Sequence, residues 1–475
     1  MKKRYTINSF HLSHPPMSEE IGIAATPPQG RAHPHQAGRR SSPVFFLTAA
    51  NVLSAVIGLV ASVMTARWLG EASYGVMGVI WGVNATVLSF VDPRLTDLMV
   101  KRYYQPPPPG VELLRHRANV LQVTFISYFG LAVCAFLLGA IANLGLIGLF
   151  TAQPVKLSWI AAGAFTLSSS YLLNPLTQMH RLQGRFYFLG LTNLATTLVL
   201  SGTVLGWLYF NRSLDGFYTG SAVGAFTTTA LFLTVSAYLW TARDRLPLFQ
   251  RLHGPTLTQF KRNYKFLFWS NTLGYVKMGH RAADILFVGL LTNDQLTGVY
   301  KLARSLTDKL YYLFDATNQV YQPDFMQYLA AGQPTEYRRL ARRLLSWAGL
   351  ATGAIVAVEL AGYPLFQHWL LAGKFAGSQA AVVILTLPLF LVLGGYLWIW
   401  PIILHHNLLR SFTVLGLSGV VAQYAVGWFL FTATGLPAAF PIGYLTYYLV
   451  LIGGALLQIK KLHPRWLPGT FYAHP

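Results

Sequence analysis

Between residues 44 and 459 the chain runs again and again through stretches of mostly apolar residues. Each is about 20 residues long, the length that carries a helix across a bilayer core of about 30 Å. They number about twelve, near 44–66, 74–91, 119–142, 157–179, 187–209, 218–240, 266–290, 298–320, 344–366, 379–404, 411–433 and 438–459. Of the 475 residues 53% are hydrophobic and only 11% charged, against about 25% charged in soluble domains. The expected fold is therefore an all-α polytopic membrane protein.

The formal net charge is +21. In a soluble chain that would point to nucleic acid, but here the placement of the charges decides. Of the 36 Lys and Arg, 27 fall in the tails and in the loops after even-numbered spans, and four (Arg67, Lys156, Arg212, Lys374) fall in the opposite loops. The other five lie inside spans seven and eight. Such asymmetry puts both termini in the cytoplasm and makes the span count even. No basic face is left free of the membrane surface, so the lipid bilayer is expected as a partner and nucleic acid is not. The single cysteine, Cys134, lies in an apolar span; it forms no disulfide within the chain and reads as a small core residue. There is no P-loop, zinc pattern or nucleophile elbow. No cofactor, metal or catalytic residue is assigned, and the chain is not expected to be an enzyme.

Residues 1–43 are rich in Pro, His, Ser and Arg and read as a disordered cytoplasmic tail. A six-span bundle over 44–240 follows, then a cytoplasmic linker over 241–265 with Pro247, Gly254, Pro255 and six cations. A second six-span bundle covers 266–460, and 461–475 form a short cytoplasmic tail. The two bundles resemble each other. One and the same offset carries Gly75 onto Gly298 and Asp92 onto Asp315, since 298 − 75 equals 315 − 92. Six spans bring the chain back to its starting side, so the repeats are expected to be parallel and pseudo-symmetric about an axis along the membrane normal.

Spans seven and eight carry the charges. Ser270, Gly274, Lys277, Arg281 and Asp284 step by three or four in the first, and Lys301, Arg304, Asp308, Tyr311, Asp315 and Gln319 in the second. That spacing lines one helix face. Lys309 lies off it. A charge at mid-bilayer costs about 3 kcal/mol on insertion scales, so these side chains must face each other, a water-filled cavity or a charged substrate. Counted from the span ends, Asp284 and Arg304 lie at one level, and Asp308 and Lys277 at another, so both pairs are in reach. Pairing alone would fix helix packing. Five cations face three carboxylates, however, and the surplus suits an anionic headgroup such as a diphosphate. Arg281, Lys277, Arg304 and Lys301 are the candidate substrate ligands, with Arg281 first because a guanidinium binds phosphate with two parallel hydrogen bonds. Asp284, Asp308 and Glu359 are candidates for coupling to H+ or Na+, or for ion pairing. Asp92 reads as the cap of a short helix starting at Pro93. Tyr444, Tyr447 and Tyr448 read as interfacial anchors.

The segment Ala66-Arg67-Trp68-Leu69-Gly70-Glu71-Ala72-Ser73-Tyr74-Gly75, the segment Asp284-Ile285-Leu286-Phe287-Val288-Gly289 and the stretch Gly298-Val299-Tyr300-Lys301-Leu302-Ala303 resemble bacterial polysaccharide-biosynthesis membrane proteins. These are the O-antigen or oligosaccharide flippases of the multidrug/oligosaccharidyl-lipid/polysaccharide exporter superfamily. The chain departs from that pattern in Pro93, in its extended N-terminal tail and in the four prolines at 106–109. The resemblance implies a bacterial inner-membrane flippase. It would move an undecaprenyl-diphosphate-linked oligosaccharide to the outer leaflet by alternating access, for polysaccharide, lipopolysaccharide or O-antigen synthesis, beside glycosyltransferases and a polysaccharide polymerase. Two alternatives stay open: a small-molecule exporter of the same superfamily, whose cavity would be dominated by carboxylates, and a membrane polymerase, which would need a long outward loop.

Overall fold

The computed structural model describes residues 37–92, 95–103, 112–240, 264–375, 377–406 and 408–468. The chain divides into Met1–Phe45 and a large unit, Phe46–Pro475, which holds everything discussed below. Among the described residues all regular structure is helical. The first half comprises α1 (Ala37–Leu69), α2 (Glu71–Val91), the short α3 (Leu95–Tyr103), α4 (Leu113–Leu146), α5 (Leu157–Leu182), α6 (Phe186–Phe210) and α7 (Leu214–Tyr238). The second comprises α8 (Tyr264–Arg281), α9 (Asp284–Leu291), α10 (Asp294–Ala330), α11 (Pro334–Trp369), α12 (Ser378–His405), α13 (Leu409–Thr434) and α14 (Ala439–Leu462).

Nine described helices are long and apolar enough to cross a membrane. The expected total of about twelve also needs α5, the α8–α9 pair, which is interrupted at 282–283, and α10. Helix α1 already begins at Ala37, inside the segment expected to be a disordered tail. Residues 1–36, most of the linker and the four-proline loop lie outside the described residues.

The halves repeat element by element. The starts of α2, α4, α5, α6 and α7 recur as the starts of α10, α11, α12, α13 and α14. The offset from start to start is identical for α2 and α10 (294 − 71) and for α6 and α13 (409 − 186), and nearly so for the other pairs. Near the axis the copies touch reciprocally. A Cβ on Gly75 would fall 2.0 Å from the carbonyl oxygen of Asp294, and one on Gly298 would fall 2.0 Å from that of Glu71. Both glycines let two backbones approach where any side chain would part them.

One apolar cluster straddles the halves, joining Tyr74, Val79, Ile80, Phe217 and Tyr218 to Ile285, Leu286, Val299, Leu302 and Phe375. A second, within the second half, holds Tyr337, Trp398, Tyr444, Tyr447 and Trp466. The outer face of α4 exposes Ile126, Phe129, Val133, Leu137, Ile141 and Leu144. In lipid such exposure is not unfavourable, because acyl chains are as apolar as the side chains themselves. Cys134, expected in the core, is exposed on α4 for the same reason.

Candidate functional site

Span seven is not one helix. Helix α8 ends at Arg281 and α9 starts at Asp284, with Ala282 and Ala283 between them. A break leaves carbonyls at the end of one helix and N–H groups at the start of the next without partners, and a bilayer offers no water to replace them. The protein supplies the partners from α13. The Tyr424 hydroxyl donates to the carbonyl of Gly279, and Gln423 Nε2 donates to the carbonyl of His280 at 3.3 Å. Gln423 Oε1 also accepts from His280 Nδ1 at 2.7 Å. The N–H groups of Ala282 and Ala283 both turn back to Met278 O. On the far side of the break, Asp284 Oδ1 accepts from the N–H of Ile285 at 2.7 Å. The His280 ring lies flat on Tyr447, with centroids 3.6 Å apart, and stacks on Tyr444 at 4.3 Å. Tyr444, Tyr447 and Tyr448 are buried here and are not interfacial anchors.

The second oxygen of Asp284 holds the next helix. Oδ2 accepts from the Tyr300 hydroxyl at 2.8 Å and from Arg304 Nε at 2.9 Å. Arg304 continues through Nη1 to Asp308 Oδ1 at 3.0 Å, one turn further along α10. Its guanidinium covers the Tyr444 ring at 4.3 Å. Asp284 and Arg304 are each 4% exposed. Two carboxylates therefore flank one guanidinium inside the second half, so Arg304, expected as a substrate ligand, is engaged within the protein. Asp308 is engaged by Arg304, its neighbour on α10.

The other cations lie elsewhere. Lys277 and Arg281 are exposed on α8. Arg281 lies over the Tyr311 ring at 5.0 Å, and among the described residues no carboxylate is within ion-pair distance of it. Lys301 leans away from Arg304 toward the first half: its stem would meet a Cβ on Gly78, and its ammonium is 6.0 Å from the Trp81 ring. Lys309 reaches α1, where a Cβ on Gly58 would come within 3.1 Å of its ammonium. The repeat offset carries Gly58 onto Arg281 and Gly78 onto Lys301, since 281 − 58 equals 301 − 78. At these two positions the first copy of the repeat has glycines where the second has cations, and both glycines make room for lysines of the second copy.

Glu359 is apart from this group. It is half-buried between α11 and α12, its Oε1 accepts from Thr386 Oγ1 at 2.8 Å, and its Oε2 has no hydrogen-bond partner. Asp92 ends α2 and accepts from the Tyr128 hydroxyl at 3.2 Å. Residues 93–94, where a capped helix was expected to begin, and the Asp315 side chain lie outside the described part. The sequence reading missed His280, Tyr300, Gln423 and Tyr424. A signal was present for Gln423, an amide alone in an apolar run, because such a group in lipid must find a partner.

No family model and no curated protein matches the chain. Solved structures do. The eukaryotic MATE transporter AtDTX14 is similar over 90% of this chain and 97% of its own, with a TM-score of 0.60 at 14% identity. The MATE multidrug transporter DinF-BH is similar over 90% and 96%, with a TM-score of 0.58 at 15% identity. Lipid II flippase MurJ, in an inward-closed conformation, is similar over 88% and 87%, with a TM-score of 0.60 at 12% identity. At these identities the likeness is one of architecture: the chain is a multi-pass helical membrane protein with the fold that MATE transporters and MurJ share.

Proposed function

We propose that the protein is a flippase for an anionic, diphosphate-linked lipid oligosaccharide, working by alternating access between its two halves in a bacterial inner membrane with both termini cytoplasmic. The observation that carries this reading is Arg281: a guanidinium deep in a membrane-spanning segment, accessible, with a tyrosine face on one side and no carboxylate in ion-pair distance among the described residues. A cation at that depth with no carboxylate in direct contact is costly unless an anion visits it. Lys277, one turn earlier on the same exposed face of α8, and Lys301 across the crevice would add positive charge around a diphosphate. Arg304 acts indirectly, as the strut that holds α9 and α10 together. A crevice between two bundles lets a headgroup cross while its lipid tail stays in the bilayer.

A second reading, export of small molecules, is favoured by the fold shared with the MATE multidrug transporter DinF-BH. Cationic drugs need available carboxylates, and in the 284–308 cluster both carboxylates are engaged by Arg304. The two readings separate in cells. Arg281→Ala should abolish glycan export at normal protein levels, while Arg281→Lys keeps part of it. Full complementation of a flippase-null strain by Arg281→Ala, together with drug resistance conferred by the wild type, would replace the first reading with the second.

A further inference from the structure

On the cation-poor face the turn after α11 is built unlike any other among the described residues. Ala372 and Phe375 have φ of 54° and 63°, the only non-glycine residues with positive φ among those described, and Gly373 and Gly377 join them at 75° and 82°. Side-chain-bearing residues occupy this region at a cost and persist there only where their surroundings hold them. Here the surroundings belong to the other half. Phe375 is fully buried in the cluster that includes Tyr74, edge-on to the Tyr74 ring at 5.9 Å. The Phe375 N–H donates to a carboxylate oxygen of Glu71 in the first turn of α2.

Two of the four cations on this face are also engaged here. Arg67 Nη1 donates to the carbonyl of Trp369, the last residue of α11, at 3.4 Å. Lys374 Nζ donates to the carbonyl of Arg67, in the last turn of α1, at 2.9 Å. Each half therefore presents a cation to a helix C-terminus of the other, where unpaired carbonyls and the negative end of the helix dipole favour positive charge. Beneath the turn, the Tyr74 hydroxyl bonds Ser305 of α10 at 3.3 Å.

We propose that the turn from Leu370 to Phe375 is a strained latch that closes the cation-poor mouth of the crevice. Burial of Phe375 and the crossed hydrogen bonds favour the seated state; relief of backbone strain favours release. The opposition makes closure reversible, as a transport cycle requires. The latch deepens the alternating-access reading above and rests on it.

The test uses the full chain with its single cysteine removed (Cys134→Ser) and Ser305→Cys beneath the latch, in spheroplasts exposed to a membrane-impermeant maleimide. Phe375→Ala and Glu71→Ala should each speed labelling at least about tenfold, in line with the loss of a buried aromatic anchor or of a charge-assisted bond. Lys156→Ala, on the same face but paired to Asp215, should leave the rate unchanged. In a second arm a covalent bridge replaces the two crossed hydrogen bonds: a short reversible thiosulfonate cross-linker joining Arg67→Cys to Lys374→Cys should stop transport until reductant is added. Unchanged labelling with transport surviving the cross-link would overturn the latch and leave the substrate reading intact. Faster labelling in a protein that moves no lipid-linked diphosphate would support the latch and remove the substrate reading.

Discussion

Asp284 does four things at once: it ends a helix break, accepts a backbone N–H, accepts a tyrosine hydroxyl and neutralises an arginine. Removing it leaves Arg304 buried with one remaining, partly exposed carboxylate. Asp284→Ala should therefore lower stability by about 3–5 kcal/mol, the penalty for stranding a buried charge. Asp284→Asn, which can still accept from Tyr300, should cost less. Thermal unfolding in detergent, compared across the two variants, measures both. The pair is legible in the sequence because Asp284 and Arg304 lie equally far from their span ends. What spacing does not show is that the same arginine also takes Asp308, since a stripe of charges along a helix does not say which members face inward. Lys301 and Arg304, one turn apart on the expected face, end up serving opposite halves.

At the scale of elements, the break at 282–283 is the feature that periodicity hides. Neither residue is Gly or Pro, and the apolar pattern runs through both helices without a shift in phase. The break exists because α13 satisfies its open backbone groups with Gln423 and Tyr424. Gln423→Ala should cost about 1–3 kcal/mol by stranding the His280 carbonyl and ring nitrogen, while Tyr424→Phe, which strands one carbonyl, should cost less. Unfolding midpoints of the two variants check the order. Sequence misplaces the tyrosines of α14 because hydropathy scores Tyr alike at an interface and beneath a buried imidazole. A second prediction concerns the end of α12. The His406 ring stacks on His463 at 3.6 Å; burial first, then the neighbouring His463, His405 and Arg465, hold its imidazole down to about 4. A depressed histidine favours the neutral form, so this corner is at full stability above the unfolded value of about 6.5 and loses stability as pH falls from there toward 4. His406→Phe should flatten that part of the melting-temperature profile.

For the whole molecule, the repeat explains both the symmetry and its violation. The correspondence of α2 and α4–α7 with α10–α14 follows from one nearly constant offset. The contact of Gly75 with Asp294 and of Gly298 with Glu71 puts the axis between those very residues. Gly298→Ala should push α2 and α10 apart and lower folded yield sharply, since its Cβ has a backbone carbonyl 2.0 Å away. Gly453→Ala, with nothing within 4 Å, should be neutral or slightly stabilising. Size-exclusion profiles of the two proteins decide the matter. The cations of spans seven and eight obey no such symmetry: they belong to the second copy, and at two of those positions, 58 and 78, the first copy has glycines. That division cannot be read from either half alone, because it is visible only when both are in contact.

In the proposed cycle an anion meets Arg281 between the two halves. The most direct measurement is translocation of a fluorescent undecaprenyl-linked sugar by the purified protein in liposomes, with the diphosphate lipid, the monophosphate lipid and a cationic dye compared for wild type and Arg281→Ala. The wild type should move the diphosphate lipid rapidly, the monophosphate more slowly and the dye not at all, and Arg281→Ala should lose the diphosphate activity. Equal rates for wild type and variant, or movement of the dye in place of the lipid, would contradict the proposed cycle.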